Sequence, residues 1–384
     1  MIVMASEIQN TSEMPRALIV LGMHRSGTSA LAGLIHQSGV AMGSSLMPEC
    51  VGVNEKGFWE HKEIVAIHEQ LLKEMGYNWD DPRVLPDQWW ETERNQSYIE
   101  KICRVLDLEF GSESLWALKD PRICRLLPLW RQVFSRLGVK PLFLHIVRNP
   151  LEVAASLKHR DRLPRPQALL LWFQHNLEAI QNSAGYPRQF ITFPQLLDDG
   201  EAWLLNIFQK WELSIVTQDH AEISVETPLL TKSLRHHHAS SSDLEADQDV
   251  PRLVKDLYQV LLKAAHEERD PSSEKMQRIT KQYQEAVELL SSWTGLSGHF
   301  QMLLEKQNSL LEKRNARIAE LVPALEDAQR FVRQRMRDIE KRDSRIAELD
   351  SALKDAQNYV RQREQDIQRL NRKLDMLGKD IKGS

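Results

Sequence analysis

Residues 17–30 read ALIVLGMHRSGTSA. Five apolar residues stop abruptly at Gly22. A short continuous apolar run bounded by glycine predicts a buried strand. Beyond Ser29 the apolar positions move to helical spacing, with Leu31, Leu34, Ile35 and Ser38 on or near one face. Strand, glycine loop and helix N-terminus together aim backbone N–H groups at one point, which suits a phosphate-like anion. This stretch predicts an α/β fold.

The loop resembles a P-loop, altered at one position. A Walker A loop reads GxxxxGK[ST], and Thr28 stands where its lysine belongs. That lysine reaches β- and γ-phosphates, so its absence argues against ATP or GTP hydrolysis. The basic residue lies inside the loop instead, at Arg25. The placement suits one phosphate-like group at the loop with a leaving oxygen beside it.

The 384 residues allow one sizeable domain plus an extended segment. A net charge of −4 gives no general reason to expect nucleic-acid binding. The charge is uneven: from His299 onward there are 19 Lys/Arg and 15 Asp/Glu, against 31 and 39 before it. A body at −8 and a tail at +4 fit an interaction tail. Cys50, Cys103 and Cys124 form no ligand-spaced cluster and fit a reducing compartment. No apolar run reaches the roughly 18 residues that span a bilayer. The first fifteen residues lack the basic start and long apolar segment of a signal peptide. A cytoplasmic protein without a transmembrane segment is the expectation.

Residues 1–15 are polar and expected to be flexible. From 16 to 268, strand and helix patterns alternate, which predicts a P-loop-like three-layer domain with a mainly parallel central sheet. A second strand is expected at 141–147, ending at Arg148-Asn149-Pro150, with proline placed to start the next helix. A third is expected at 190–193. Residues 240–249 read as a solvated loop. The stretch 269–298 reads as a connecting helix and linker, ended by Gly295 and Gly298.

Residues 299–378 differ in kind. RIAEL recurs at Arg317 and Arg345, four heptads apart, and the match continues through both copies. With Ile318 at position a, the a column runs Ile318, Leu325, Val332, Ile339, Ile346, Leu353, Val360, Ile367 and Leu374. The d column is Leu321, Ala328, Arg335, Arg342, Leu349, Ala356, Arg363, Leu370 and Leu377. An unbroken apolar a column over nine heptads predicts a long C-terminal coiled-coil helix, with 379–384 as a tail. Its β-branched a positions favour a parallel dimer, and the arginines at d blur that rule. Pro323 falls at the outward position f. The coil would make the protein a homo-oligomer or tether it to a partner.

Three blocks of the body carry a family resemblance. GMHRSGTS at 22–29 resembles the 5′-phosphosulfate loop of sulfotransferases that use 3′-phosphoadenylyl sulfate (PAPS). Arg148 and Ser156, in VRNPLEVAASL, are similar to that family's 3′-phosphate motif: a strand-ending arginine followed eight residues later by a helical serine. Lys119-Asp120-Pro121 resembles the lysine block of the tyrosylprotein branch, which also carries arginine in the loop. The resemblance covers roughly residues 17–260. It implies that Gly22, His24, Arg25, Ser26, Gly27, Thr28, Ser29, Arg148 and Ser156 bind PAPS, and that Arg25 and Lys119 receive charge on the leaving oxygen. It also implies that no metal is needed, that a base follows the loop, and that the acceptor is a glycan or small molecule. Glu60 is the first choice for that base and His61 the second; an acid that merely stabilises a helix N-terminus is the competing reading for Glu60.

The residues support two anion sites without the family. A strand-end arginine and a serine on the following helix place cation, hydroxyl and helix N–H groups around one phosphate. Two such sites on the carboxyl edge of one sheet suit a nucleotide phosphorylated at 5′ and 3′. Departures from the family pattern are plain. Ala30 stands where cytosolic members carry an adenine-stacking tryptophan, and their glycine-rich C-terminal element is missing, with Ser233-Leu-Arg235-His236-His-His238 as a partial replacement. Three successive histidines point in different directions and fit a solvated turn better than a metal site. Trp79, Trp89, Trp90 and Trp130 fit core or lid packing, with Trp89-Trp90 as an alternative floor for a sugar or polyphenol. A P-loop kinase of nucleotides or small molecules and a nucleotide-binding scaffold without turnover are the competing functions.

Overall fold

The computed structural model describes residues 14–48, 57–213, 238–271, 273–292 and 295–382, with the side chains at 291–305 and 374–382 excepted. The expected flexible residues 1–13 and the basic stretch 233–237 lie outside the described residues. The chain divides into two units, 1–290 and 291–384.

In the first unit four strands form a parallel sheet in the order β2-β1-β3-β4. They are β1 (Arg16–Leu21), β2 (Leu115–Lys119), β3 (Lys140–Val147) and β4 (Arg188–Thr192). Helix α1 (Thr28–Gln37) follows β1, and α2 (Lys62–Glu74) and α3 (Glu93–Phe110) come before β2. Helix α4 (Ile123–Leu137) joins β2 to β3. Helices α5 (Pro150–Asp161) and α6 (Arg165–Asn182) join β3 to β4, and α7 (Phe193–Lys210) follows β4. Helices α8 (Ser241–Ala246), α9 (Arg252–Glu267) and α10 (Glu274–Ser292) complete the described part of the unit.

β1 is the middle of the fold because it is apolar on both faces. Ala17, Ile19 and Leu21 enter a core with α3 and α4, and Leu18 and Val20 enter another with α1 and α7. Side chains alternate along a strand, so a buried run on both faces requires helices on both sides. This is the expected three-layer α/β architecture with a mainly parallel sheet. β1 pairs with β2 on one side and β3 on the other, so the strand order reverses at its carboxyl end, where open α/β sheets bind ligands.

Several boundaries differ from the sequence expectation. The strand expected at 190–193 is Arg188–Thr192, and Phe193 already belongs to α7. Thr192 caps that helix by accepting from Gln195 N at 3.2 Å, while the Gln195 side chain accepts from Thr192 N at 3.0 Å. The loop expected at 240–249 contains α8, started by the same device between Ser240 and Asp243 and anchored by buried Leu244. Pro150 starts α5 as expected, and the Asn149 side chain accepts from Leu151 N.

The second unit is one helix, α11 (Gly295–Lys382), which runs through Gly298. Among the described residues no helix is long and apolar enough to cross a membrane.

Candidate active site

The loop after β1 is shaped by contacts that exclude side chains. Gly27 has φ +98°, and a Cβ there would lie 2.3 Å from Cδ2 of Phe193. A Cβ on Gly22 would lie 2.7 Å from the Ile146 carbonyl oxygen. The loop is thereby pressed against the end of β3 and the start of α7. Helix α1 has no side-chain N-cap bond and no acid in its first turn. Its positive end is therefore left for an external anion. Among the described residues Ser26 Oγ is buried in the loop without a hydrogen-bond partner, a further group suited to an acceptor oxygen. Gly22 N donates to Cys124 Sγ at 3.2 Å, which ties the loop to α4.

Arg148 and Ser156 meet at this loop. Arg25 Nε donates to Ser156 Oγ at 2.9 Å across 131 residues. An Arg148 guanidinium nitrogen donates to the Arg25 carbonyl at 3.1 Å, while its Nε donates to Glu152 Oε2 at 2.8 Å. Phe193 lies beneath the Arg148 guanidinium at 4.4 Å. Burial, with Arg160 and Arg148 close by, pulls the Arg25 guanidinium down to about 10. It stays cationic at neutral pH inside a crowd of like charges, an arrangement that an arriving anion relieves.

Lys119 ends β2 beside the same loop. Its Nζ donates to Ser29 Oγ at 3.2 Å and to the Phe58 carbonyl at 3.0 Å, and pairs with Glu60 Oε1 at 2.5 Å. A neighbouring strand thus supplies the ammonium that the loop lacks at Thr28. The other Glu60 oxygen faces Arg122 at 3.7 Å. Arg122 is held by Asp120 at 2.9 Å, and Asp120 also accepts from His68 Nδ1 at 2.8 Å. Trp130 Nε1 donates to His68 Nε2 at 2.9 Å, which assigns the His68 proton to Nδ1. Burial works against the charged carboxyl of Asp120, yet Arg122 and His68 hold it far below the usual range.

The remaining expected residues divide. His24 leaves the loop toward Trp79, with ring centroids 4.5 Å apart, and lies 6.2 Å from His175. Burial first, then Arg122 and Arg160, holds His24 well below its ordinary value, so it is neutral at pH 7. Its Nε2 is buried without a partner among the described residues. His61 turns away from the Lys119–Glu60 pair: its Nε2 faces Glu109 on α3 at 3.5 Å, and its ring packs under Gly43. Trp89 and Trp130 are core residues, Trp90 packs against the same core, and Trp79 is half-buried beside the loop.

Sequence reasoning missed the Asp120–Arg122–His68–Trp130 network. Two of its members stood in plain view in the block WALKDPR, but His68 and Trp130 join it only because α2 and α4 pack together. It also missed Arg160, whose guanidinium lies over Trp79 at 5.6 Å. The cluster K-H-R-D-R at 158–162 was its only trace in the sequence.

No family model matches this chain, and no curated protein matches it. Solved structures that resemble it include a sulfotransferase domain from the curacin biosynthetic pathway, 13% identical with a TM-score of 0.36, covering 71% of this chain and 99% of that one. Another is a sulfotransferase domain from the Synechococcus PCC 7002 olefin synthase, 14% identical with a TM-score of 0.34, covering 70% and 94%. A third is the sulfotransferase STF1 of Mycobacterium tuberculosis H37Rv, 15% identical with a TM-score of 0.33, covering 64% and 76%. Values this low assign no family. The chemistry has to come from the residues.

Proposed function

We propose that this protein is a sulfotransferase that moves a sulfuryl group from PAPS to a hydroxyl or amine, on a carbohydrate or other glycan-like acceptor. The observation that carries the reading is the Arg25–Ser156 hydrogen bond with Arg148 on the Arg25 carbonyl. It brings the loop and the Arg148–Ser156 pair together on one sheet edge, which supports two neighbouring anion sites. A nucleotide with phosphates at both 5′ and 3′ needs that pairing, and a nucleoside triphosphate does not.

PAPS supplies an activated sulfuryl group whose leaving oxygen belongs to the 5′-phosphate. Gly22 through Ser29, with the start of α1, cradle the 5′ end, and Arg148 with Ser156 take the 3′-phosphate. As the acceptor oxygen bonds to sulfur, the bond from sulfur to the 5′-phosphate oxygen breaks and negative charge collects on that oxygen. Lys119 and Arg25 receive the charge, as in phosphoryl transfer. The acceptor proton goes to Glu60, because His61 is turned toward Glu109 instead. For Glu60 to accept it, Lys119 shifts its charge from the carboxylate to the leaving oxygen. Cys103 and Cys124 are free thiols, which fits a cytoplasmic setting.

Calorimetric titration with adenosine 3′,5′-bisphosphate tests the reading. Binding is expected without magnesium, weakened at least tenfold in Arg148→Ala. Binding of ATP alone, and only with magnesium, would sink it in favour of a kinase. Bisphosphate binding with no transfer to any hydroxyl acceptor would favour a scaffold.

A further inference from the structure

Helix α11 exposes an apolar stripe along its described length. The a residues from Ile318 to Ile367 are 53–60% exposed, and Leu321, Leu349 and Leu370 in the d column are 51–59% exposed. At about 80 Å² of apolar surface per aliphatic side chain, pairing the stripe with an identical one removes on the order of 1,700 Å² from water. That is the size of a stable, specific interface. The two 28-residue repeats also present the same surface. Arg317 pairs with Glu320 at 2.7 Å, and Arg345 pairs with Glu348 at 2.7 Å. Arg335 lies over Phe331 and Arg363 over Tyr359, the same arginine–aromatic pair one repeat apart.

We propose that this stripe is covered by the same stripe of a second copy running antiparallel, so that its N-terminal half in one chain lies against its C-terminal half in the other. The arginines at d decide the direction. In a parallel in-register pair, like positions face each other across the seam. Arg335, Arg342 and Arg363 would then each meet their own counterpart, two of them in successive heptads. Like charges packed directly opposite in a seam are destabilising. In an antiparallel pair each a residue shares its layer with a d residue of the other chain. The register that aligns the a and d columns over the heptads is centred between Ala347 and Glu348. It sets Arg335 against the partner's Val360, Arg342 against the partner's Leu353, and Arg363 against the partner's Val332. Their aliphatic stems cover those side chains while the charged heads reach the flank. There, in the g row, the partner's Tyr359 stands level with Arg335 and the partner's Phe331 level with Arg363. The partner's Asp366 and the partner's Asp338 follow six residues beyond those layers, about 9 Å away. Ile346 meets the partner's Leu349 at the centre, and Leu325 meets the partner's Leu370 toward each end. The pairing is isologous and closes at two chains.

The inference is independent of the reaction proposed above, and its test needs no substrate. Full-length chain is weighed by light scattering at micromolar concentration. Two copies are expected, and a monomer or three or more copies would overturn the proposal. Leu325→Cys and Leu370→Cys chains are then oxidised separately and after co-refolding, with the unsubstituted chain as the blank for its own thiols. A new cross-linked dimer is expected only from the mixture. Cross-linking in the Leu325→Cys chain alone would mean parallel strands and overturn the orientation. Ile346→Lys, at the central layer, is expected to shift the mass to monomer, and an unchanged dimer mass would place the interface elsewhere.

Discussion

Gly27 carries two constraints that a side chain cannot meet together. Its φ of +98° disfavours any L-residue, and its Cα faces the Phe193 ring. Gly27→Ala is therefore expected to cost about 3 kcal/mol, the sum of overpacking and backbone strain, read as a lower thermal midpoint. Adding Phe193→Leu is expected to restore the packing part and leave the strain. Full recovery in the double variant would show that the positive φ is not needed. The loop's charges obey a different rule. Lys119, Arg25 and Arg148 are side chains from three separate segments, and each reaches the site through a partner in another element. Single residues there matter for where they are delivered more than for what they are.

At the scale of elements, β2 and the turn after it form the joint of the site. Lys119 points to the loop, and Asp120 turns inward to bind Arg122 and His68, so one dipeptide ties β2 to α2 and α4. Asp120→Ala removes the buried carboxylate that Arg122 and His68 share, leaving Arg122 with half-exposed Glu69 at 2.8 Å and Glu60 at 3.7 Å. Breaking a buried pair from one side costs roughly 3–5 kcal/mol. The expected result is a large drop in the midpoint of denaturant unfolding. A stability change below about 1 kcal/mol would mean the network is ornamental. The repeat of α11 shows the opposite economy: nearly all of its contacts are local, at i, i+3 and i, i+4, and its packing must come from outside the helix.

For the whole molecule, buried histidines set the acid limit. Burial pulls His145 and His175 down to about 3, and His24 is lowered in the same direction. A histidine held below its unfolded value near 6.5 contributes stability that is fully present above that value and is lost as pH falls toward the folded one. Glu178 runs the other way. Burial raises its carboxyl to about 7, so it gains stability as pH falls from 7 toward 4.5. Three histidines outweigh one carboxyl, and a net loss of about 2 kcal/mol is expected between pH 6.5 and 5.5. The check is the thermal midpoint against pH. His145→Gln, which can keep the bond to Ser183, is expected to flatten the slope. A midpoint that rises on acidification would contradict the assignment.

How much of this was legible in the chain depended on distance along it. The strand–loop–helix at 17–37, the strand end at Arg148 and the heptads after Ile318 are local patterns, because strand, cap and helix each follow from a few neighbouring residues. The Arg148–Ser156 spacing is local too, since eight residues of one helix start bring both to the same edge. Strand ends were not local in this sense: Phe193 is as apolar as the strand before it, and only the cap between Thr192 and Gln195 turns it into the start of a helix. The parallel sheet order was outside local reach. It placed β2 beside β1, and with it Lys119 beside Ser29, ninety residues apart. The same packing sent His61 toward Glu109 and left its neighbour Glu60 between two cations. Adjacent residues leave an irregular segment in opposite directions, and only the surrounding helices select which one faces the loop. The glycine loop after β1 and the heptad period of α11 were thus set by short-range backbone preference and hydrophobic spacing. The meeting of Arg25 with Ser156, Lys119 with Glu60, and Asp120 with His68 was decided by how the layers stack, because buried charges settle only where tertiary packing supplies their partners.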